Sequence, residues 1–301
     1  MNRGGVEDKQ HRDSSLDHPG ESAYEPRSVL TELQYRLLLN LSRDPAAGDY
    51  AGGTLKVNAS PDSALDFLRK TIPDFDRMIE NRKVLDYGCG YGWQACAMKR
   101  AGAASVTGYD PFPKFTAPEG AGVRFTTLLP TEQYDVVVSC SSFEHFADPL
   151  KEIAAMKLLT NASGRVAISW AEPWFSHSGS HMNFFTRVPW VNILFSEEAV
   201  MRVRAHYRDD GAHRYEDGGL GGAVNRMTLR KWERLLASSG MTVEWSRYYA
   251  TKGLPAVTRI PGIRELLTSS VAVVLRPSAS GPEPLWKRDR RDGSGSREPA
   301  R

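Results

Sequence analysis

Seven short apolar runs recur along the chain, at residues 84–85, 105–109, 123–127, 135–139, 165–170, 242–249 and 270–276. They are too short for buried helices and rich in β-branched residues, so they read as strands. Between them lie stretches with apolar positions three and four apart. Leu30, Leu33, Leu37, Leu38 and Leu41 share one face of a helix predicted over 28–42. Ser60-Pro61 reads as the N-cap and first residue of a second helix, which Pro73 ends. Further helices are expected over 93–100, from Asp148-Pro149 to Leu159, over 228–239 with Thr228 as N-cap and Gly240 beyond its end, and over 262–267. The run DVVVS at 135–139 is almost continuously apolar, as a strand covered on both faces must be. Strands alternating with helices predict an α/β fold built on a mostly parallel sheet.

The densest chemistry lies in residues 83–110, KVLDYGCGYGWQACAMKRAGAASVTGYD. A strand ends in Asp86 and opens into Gly88, Gly90 and Gly92. A helix follows, then a second strand ending in Asp110. Glycines there let a ligand approach the backbone, and the helix start points free N–H groups toward the turn. A pyrophosphate site uses G-x-G-x-x-G. Here the pattern is D-x-G-x-G-x-G, and an acid ahead of the glycines repels a pyrophosphate but suits a cationic ligand. Asp110 is placed to accept hydrogen bonds from two ribose hydroxyls. The expected ligand is a nucleoside carrying positive charge.

VLDYGCGYG followed by VTGYDP resembles the cofactor-binding motifs of class I S-adenosylmethionine-dependent methyltransferases. The segment YDVVVSCSSFEHFADPLKEIAAMKLLTNASGRVAIS resembles the fourth strand, following helix and fifth strand of that family. The resemblance is carried by residues 83–170 and extends in topology to about residue 277. It implies a doubly wound, mostly parallel seven-stranded Rossmann-like sheet with a terminal antiparallel pair, and S-adenosylmethionine as cofactor. It also implies a cofactor site made by Asp86, Gly88, Cys89, Gly90, Gly92, Asp110, Pro111, Leu128, Ser139 and Cys140.

Beyond Asp110 the sequence departs from that pattern. PFPKFTAPEGAG carries three prolines, so a regular helix is not expected there. The loop LLPTEQ lacks the Asp that contacts the adenine amine in relatives, which leaves Leu128 and Leu129 to sandwich the ring. The loop after the fourth strand, Cys140 to Phe146, should face the reacting end of the ligand, because crevices in open α/β sheets lie beyond the strands' carboxyl ends. His145 is therefore a candidate general base for a hydroxyl acceptor. Glu144-His145 resembles part of the E-x-x-E-H pattern of metal-assisted relatives, but Ser141 replaces its first acid, and no metal is expected. Cys140 is preceded by Ser139 rather than the proline or threonine of cytosine-5 methyltransferases, and reads as a small residue lining the cofactor. The D/N/S-P-P-Y/F/W grip of base-amino methyltransferases is missing.

Residues 171–227 are longer than a crossover requires and read as an inserted cap. They hold Trp174, Phe175, Phe184, Phe185, Trp190 and Phe195, interleaved with His177, His181, Arg187, Arg202 and Arg204. The aromatics suit either an acceptor pocket or a small core of the cap's own, and His181 is the second candidate base. Residues 216–222, rich in glycine, read as a hinge.

Composition narrows the rest. Hydrophobic content of 41% and charged content of 25% suit a globular protein. A net charge of +3, with basic residues concentrated in the tail, does not argue for nucleic acid. No apolar run is long enough for a bilayer, and the polar N-terminus does not read as a signal peptide. Cys89, Cys96 and Cys140 lack metal-ligand spacing and suggest a reducing compartment, with cytoplasm the default. The expected organisation is a disordered arm over 1–25, one methyltransferase domain over 26–276 with the cap at 171–227, and a disordered tail over 277–301. The expected activity is O-methylation of a small molecule, sugar or glycan hydroxyl, with a His as base. The alternatives are a protein or RNA methyltransferase and a catalytically silent cofactor-binding protein.

Overall fold

In the computed structural model, the residues described are 28–43, 63–112, 115–116, 122–208, 211–217, 224–251 and 255–278. The predicted terminal arm, the cap pair Ser60-Pro61, most of the proline-rich stretch and residues 218–222 of the predicted hinge lie outside them. A single sheet contains β1 (Lys83–Tyr87), β2 (Ser105–Tyr109), β3 (Val123–Thr126), β4 (Tyr134–Cys140), β5 (Thr160–Ala171), β6 (Met241–Ala250) and β7 (Thr268–Pro277). The order is β3-β2-β1-β4-β5-β7-β6. The first five strands run parallel, and β7 is antiparallel to both its neighbours. This is the doubly wound Rossmann-like sheet with its terminal antiparallel pair. The chain leaves β1 toward β2 on one side and returns to β4 on the other, so the crevice of the fold opens between β1 and β4.

Strand alternation assigns the two faces. Leu85, Val137, Ile168 and Val273 point to one side, where α5 (Pro149–Leu159) and α8 (Leu229–Ser238) cover them with Ile153, Met156, Trp232 and Leu236. Val84, Val136, Val138, Ala167 and Val274 point to the other, under α2 (Asp66–Thr71), α3 (Phe75–Ile79) and α4 (Trp93–Arg100). Fully burying each such side chain contributes about 1.5–3 kcal/mol against exposure. Two of the predicted N-caps form, whereas α2 starts at Asp66 after Leu65, with no side-chain cap. The Asp148 carboxylate accepts from Lys151 N at 3.1 Å, and Thr228 Oγ1 accepts from Lys231 N at 3.1 Å. β5 begins at Thr160, before the apolar run at 165–170, and Asn161 Nδ2 donates to Asp135 Oδ1 of β4 at 2.7 Å.

A third cluster builds the cap. Trp174, Phe184, Phe185, Val191, Val200 and Val203 pack together with Leu38 of α1 (Val29–Asn40). The cap also contains α6 (Val191–Leu194) and α7 (Glu197–Ala205). Polar contacts set the rotation of α1 against α7: Tyr35 Oη lies 2.6 Å from His206 Nε2, and the Arg202 guanidinium stacks 3.8 Å over the Tyr35 ring. That rotation corrects the predicted packing face. Leu38 is buried, but Leu30, Leu33, Leu37 and Leu41 remain more than half exposed, because the cap meets the helix on its Tyr35–Leu39 flank. Among the described residues no helix is long and apolar enough to cross a membrane.

Candidate functional site

The carboxyl ends of β1 and β4 are neighbours, with Asp86 in register with Val138. The glycine turn after β1 is left-handed at Gly88, Gly90 and Gly92. A Cβ on Gly88 would sit 2.7 Å from Ser142 Oγ, which donates to the Gly88 carbonyl at 2.9 Å and ties the two loops together. A Cβ on Gly90 would meet nothing within 4 Å, so this glycine borders open space at φ +51°. An L side chain there would be strained and would project into that space.

Asp86 is 1% exposed. It accepts from the Ala95 backbone N–H in the first turn of α4, while its Oδ2 has no hydrogen-bond partner. Burial, with the Asp110 charge adding to it, pushes its pKa up to about 8. A buried carboxylate with an unpartnered oxygen is costly unless a cation or donor completes it. Ser139, also 1% exposed, likewise has an unpartnered Oγ. Asp110 is engaged on both oxygens, accepting from Gly90 N at 2.9 Å and from Phe112 N at 2.8 Å. Each oxygen keeps a second lone pair for a ligand hydroxyl. Pro111 and Leu128 are exposed beside it, Leu128 at 78%. Cys89 is buried under β2, and desolvation drives the thiols of both Cys89 and Cys140 well above their ordinary range. Neither is a ready thiolate.

The second half of the site joins the loop after β4 to the start of the cap. Residues Phe143–His145 form one 3-10 turn. Asn225 latches it, donating from Nδ2 to the carbonyls of Phe143 at 2.8 Å and Phe146 at 2.9 Å, and from its backbone N to Glu144 O at 2.9 Å. This places the His145 ring against the His181 ring, with centroids 5.3 Å apart at 75°. The two candidate bases, 36 residues apart in sequence, thus stand together. His181 Nε2 lies 3.3 Å from Glu172 Oε2, and Asn183 Nδ2 donates to Glu172 Oε1 at 3.3 Å. Burial and the neighbouring His145 push the His181 pKa down to about 3. Burial and the nearby Glu144 push Glu172 up to about 7. Glu144 is itself buried and shifted upward by desolvation, with His145 opposing. Among the described residues no group of three or more His, Cys, Asp or Glu side chains is disposed to hold a metal ion.

The sequence reading missed Glu172. No motif marks it, but it is the residue immediately after β5, and an acid at a parallel strand's carboxyl end is the signal that would have found it. The cap's aromatics divide as well. Trp174, Phe184 and Phe185 are core, Phe184 and Phe185 meeting edge to face at 4.9 Å, and are not free to stack on a substrate. Phe175 is exposed, at 37%, and Trp190 and Phe195 are half-buried.

A family model described as a methyltransferase domain matches residues 58–244. A protein from Mycobacteroides abscessus described as an uncharacterized methyltransferase is 27% identical over 217 residues, 66% of this chain and 78% of its own length. A tRNA U34 carboxymethyltransferase from Alcanivorax borkumensis is 30% identical over 104 residues, covering 30% of this chain and 32% of its own. Among solved structures, an S-adenosylmethionine-dependent methyltransferase from Mesorhizobium loti covers 73% of this chain and 99% of its own, at 16% identity and a TM-score of 0.46.

Proposed function

Since the chain belongs to the methyltransferase-domain family, we propose that it transfers a methyl group to a hydroxyl of a small molecule, sugar or glycan, with the paired histidines at the acceptor side. S-adenosylmethionine is its cofactor, and the residues at the β1–β4 crevice fit it. The unpartnered Asp86 Oδ2 suits the ligand's cationic end, Asp110 suits a ribose, the exposed Leu128 with Pro111 suits an adenine edge, and the space at Gly90 suits the nucleoside between them. Ser139 and Cys140 line the same crevice from β4. Bound there, the cofactor supplies an electrophilic methyl on a sulfonium sulfur.

The chain's own residues then have two tasks. They align the acceptor, where proximity alone is worth several kcal/mol, and they remove its proton. The observation that carries the reading is the His145–His181 pair, one ring from the loop after β4 and the other from the start of the cap. A neutral imidazole is an available proton acceptor, although the burial that lowers the His181 pKa to about 3 makes it a weak one unless a neighbouring acid stabilises the imidazolium. A hydroxyl acceptor needs such a group, whereas a neutral amine sheds its proton to water after transfer. Phe175 is the exposed large aromatic in the cap's first turn and suits a sugar or aromatic ring. A net charge of +3 offers little for a polyanion. The cytoplasm is the compartment proposed, from the three unpaired cysteines.

Transfer of labelled methyl from S-adenosylmethionine into fractionated cell extract tests the acceptor class. Label in small molecules or glycans is expected. Label in RNA or protein alone would overturn the class, and the tRNA-modifying relative makes the RNA arm necessary.

A further inference from the structure

Glu172 stands immediately after β5 and has no part in the predicted motif. Its backbone N donates to Ser269 O on β7 at 2.8 Å, which anchors the residue to the sheet. Its φ is +61°, and that of His181 is +58°. Left-handed backbone at two non-glycine residues costs about 1–3 kcal/mol each and persists where the surroundings impose it. Between them His181 Nε2 approaches Glu172 Oε2 to 3.3 Å, an ion-pair distance at which the ring nitrogen makes no hydrogen bond in the resting chain. Ser178 and Asn183 hold the carboxylate from the same loop. The side chains keep 24% exposure for His181 and 28% for Glu172, although the Nε2 atom itself is buried.

Resting on the methyl-transfer reading above, we propose that Glu172 is the positioning partner of His181: it fixes the ring with one nitrogen toward the carboxylate and the other toward the acceptor, and it holds the proton that His181 removes. As the new O–CH3 bond forms, the acceptor O–H bond breaks and its proton passes to His181 Nδ1. With the ring turned so that Nε2–H lines up on Glu172 Oε2, that proton moves onto the carboxylate, and the donor leaves as a neutral thioether. Charge balances, since one positive charge enters on the sulfonium and leaves as the proton.

The groups facing this pair are Glu144 and His145 from the β4 loop, and Ser178 and Asn183 from the cap. Glu144 disfavours an ionised Glu172, and His145 disfavours an imidazolium at 181. A proton added to the pair therefore rests on Glu172, and the acceptor-ready form is ionised Glu172 with neutral His181. Its population rises with pH through about 7.

The test uses the full chain, Glu172→Gln and Glu172→Asp. Ring 15N shifts of His181 in the wild type should show an inflection near pH 7 while the ring stays neutral. Glu172→Gln should abolish that inflection and leave S-adenosylhomocysteine affinity within about twofold. Turnover on the labelled fraction should fall about 10- to 100-fold in Glu172→Gln, with the rise toward pH 7 lost, and Glu172→Asp should restore part of both. A wild-type turnover and pH profile in Glu172→Gln, or a His181 ring blind to Glu172, would overturn the proposal. Label in RNA or protein, with the Glu172-dependent pH limb intact, would overturn the acceptor class and support the pair. If Glu172→Gln does not fold, Glu172→Asp carries the test: an unmoved pH limb overturns the proposal, and a displaced one supports it.

Discussion

Replacing Asp86 by asparagine removes one charge and almost no volume from the most buried acid of the site. In the ligand-free protein the midpoint of this carboxyl moves from 3.8 to about 8. The sign follows from linkage. Below about pH 4 the group is protonated in folded and unfolded chains alike and costs nothing. Between that pH and about 8 the unfolded chain ionises it and the folded chain does not, so stability falls as pH rises. At neutral pH the accumulated cost is about 4 kcal/mol, at roughly 1.4 kcal/mol per pH unit. An asparagine side chain carries no such cost, so Asp86→Asn should be more stable than the wild type at pH 7 by up to this amount. The corresponding rise in melting temperature is about 5–10 °C, fading toward pH 4. The same substitution should weaken S-adenosylhomocysteine binding roughly 10- to 100-fold, since a charge-assisted hydrogen bond is worth about 1.5–3 kcal/mol. Thermal denaturation at pH 4 and pH 7 reads the first effect, and titration calorimetry the second. A variant less stable at pH 7, or one that binds as tightly as wild type, would refute the assignment of Asp86 as a strained ligand-binding acid.

Other outcomes follow from the geometry. His181→Ala should lower turnover about 100-fold with cofactor affinity unchanged, and His145→Ala less; unchanged turnover in both, by labelled-methyl assay, removes the base from the account. Gly90→Ala should cost about 1 kcal/mol in chemical denaturation, for its left-handed backbone, and more than tenfold in S-adenosylhomocysteine affinity, because the new methyl enters the ligand space. Asn225→Ala frees the 3-10 turn under His145 and should cost about 1–3 kcal/mol in the same denaturation, with kcat falling more than KM rises.

The sheet was legible because its signals are local. The apolar runs, Asp148 and Thr228 at helix starts, and the glycines after Asp86 each act within a few residues of themselves. The β1–β4 crevice was legible through the motif's resemblance to a known strand order, which decides where two loops meet. What escaped depends on the cap. Glu172 lies nine positions before His181, and only the conformation of residues 172–181 turns those two toward each other. Leu30, Leu33, Leu37 and Leu41 share a helical face in the pattern, yet Tyr35 and Arg202 decide which flank of α1 is buried. Asp110 reads as free for a ribose, whereas in the fold each of its oxygens already takes a backbone N–H. In the first two cases a contact made by the folded cap settles what periodicity leaves open, and in the third the turn's own backbone does.

The most direct measurement is a crystal structure of the full chain with S-adenosylhomocysteine. The account predicts the ligand's ammonium within about 3 Å of Asp86 Oδ2, its ribose hydroxyls on Asp110, its adenine against Leu128, and its sulfur facing the space beside His145 and His181. A ligand bound with Asp86 still unpartnered, or with its sulfur turned away from the two histidines, would contradict it.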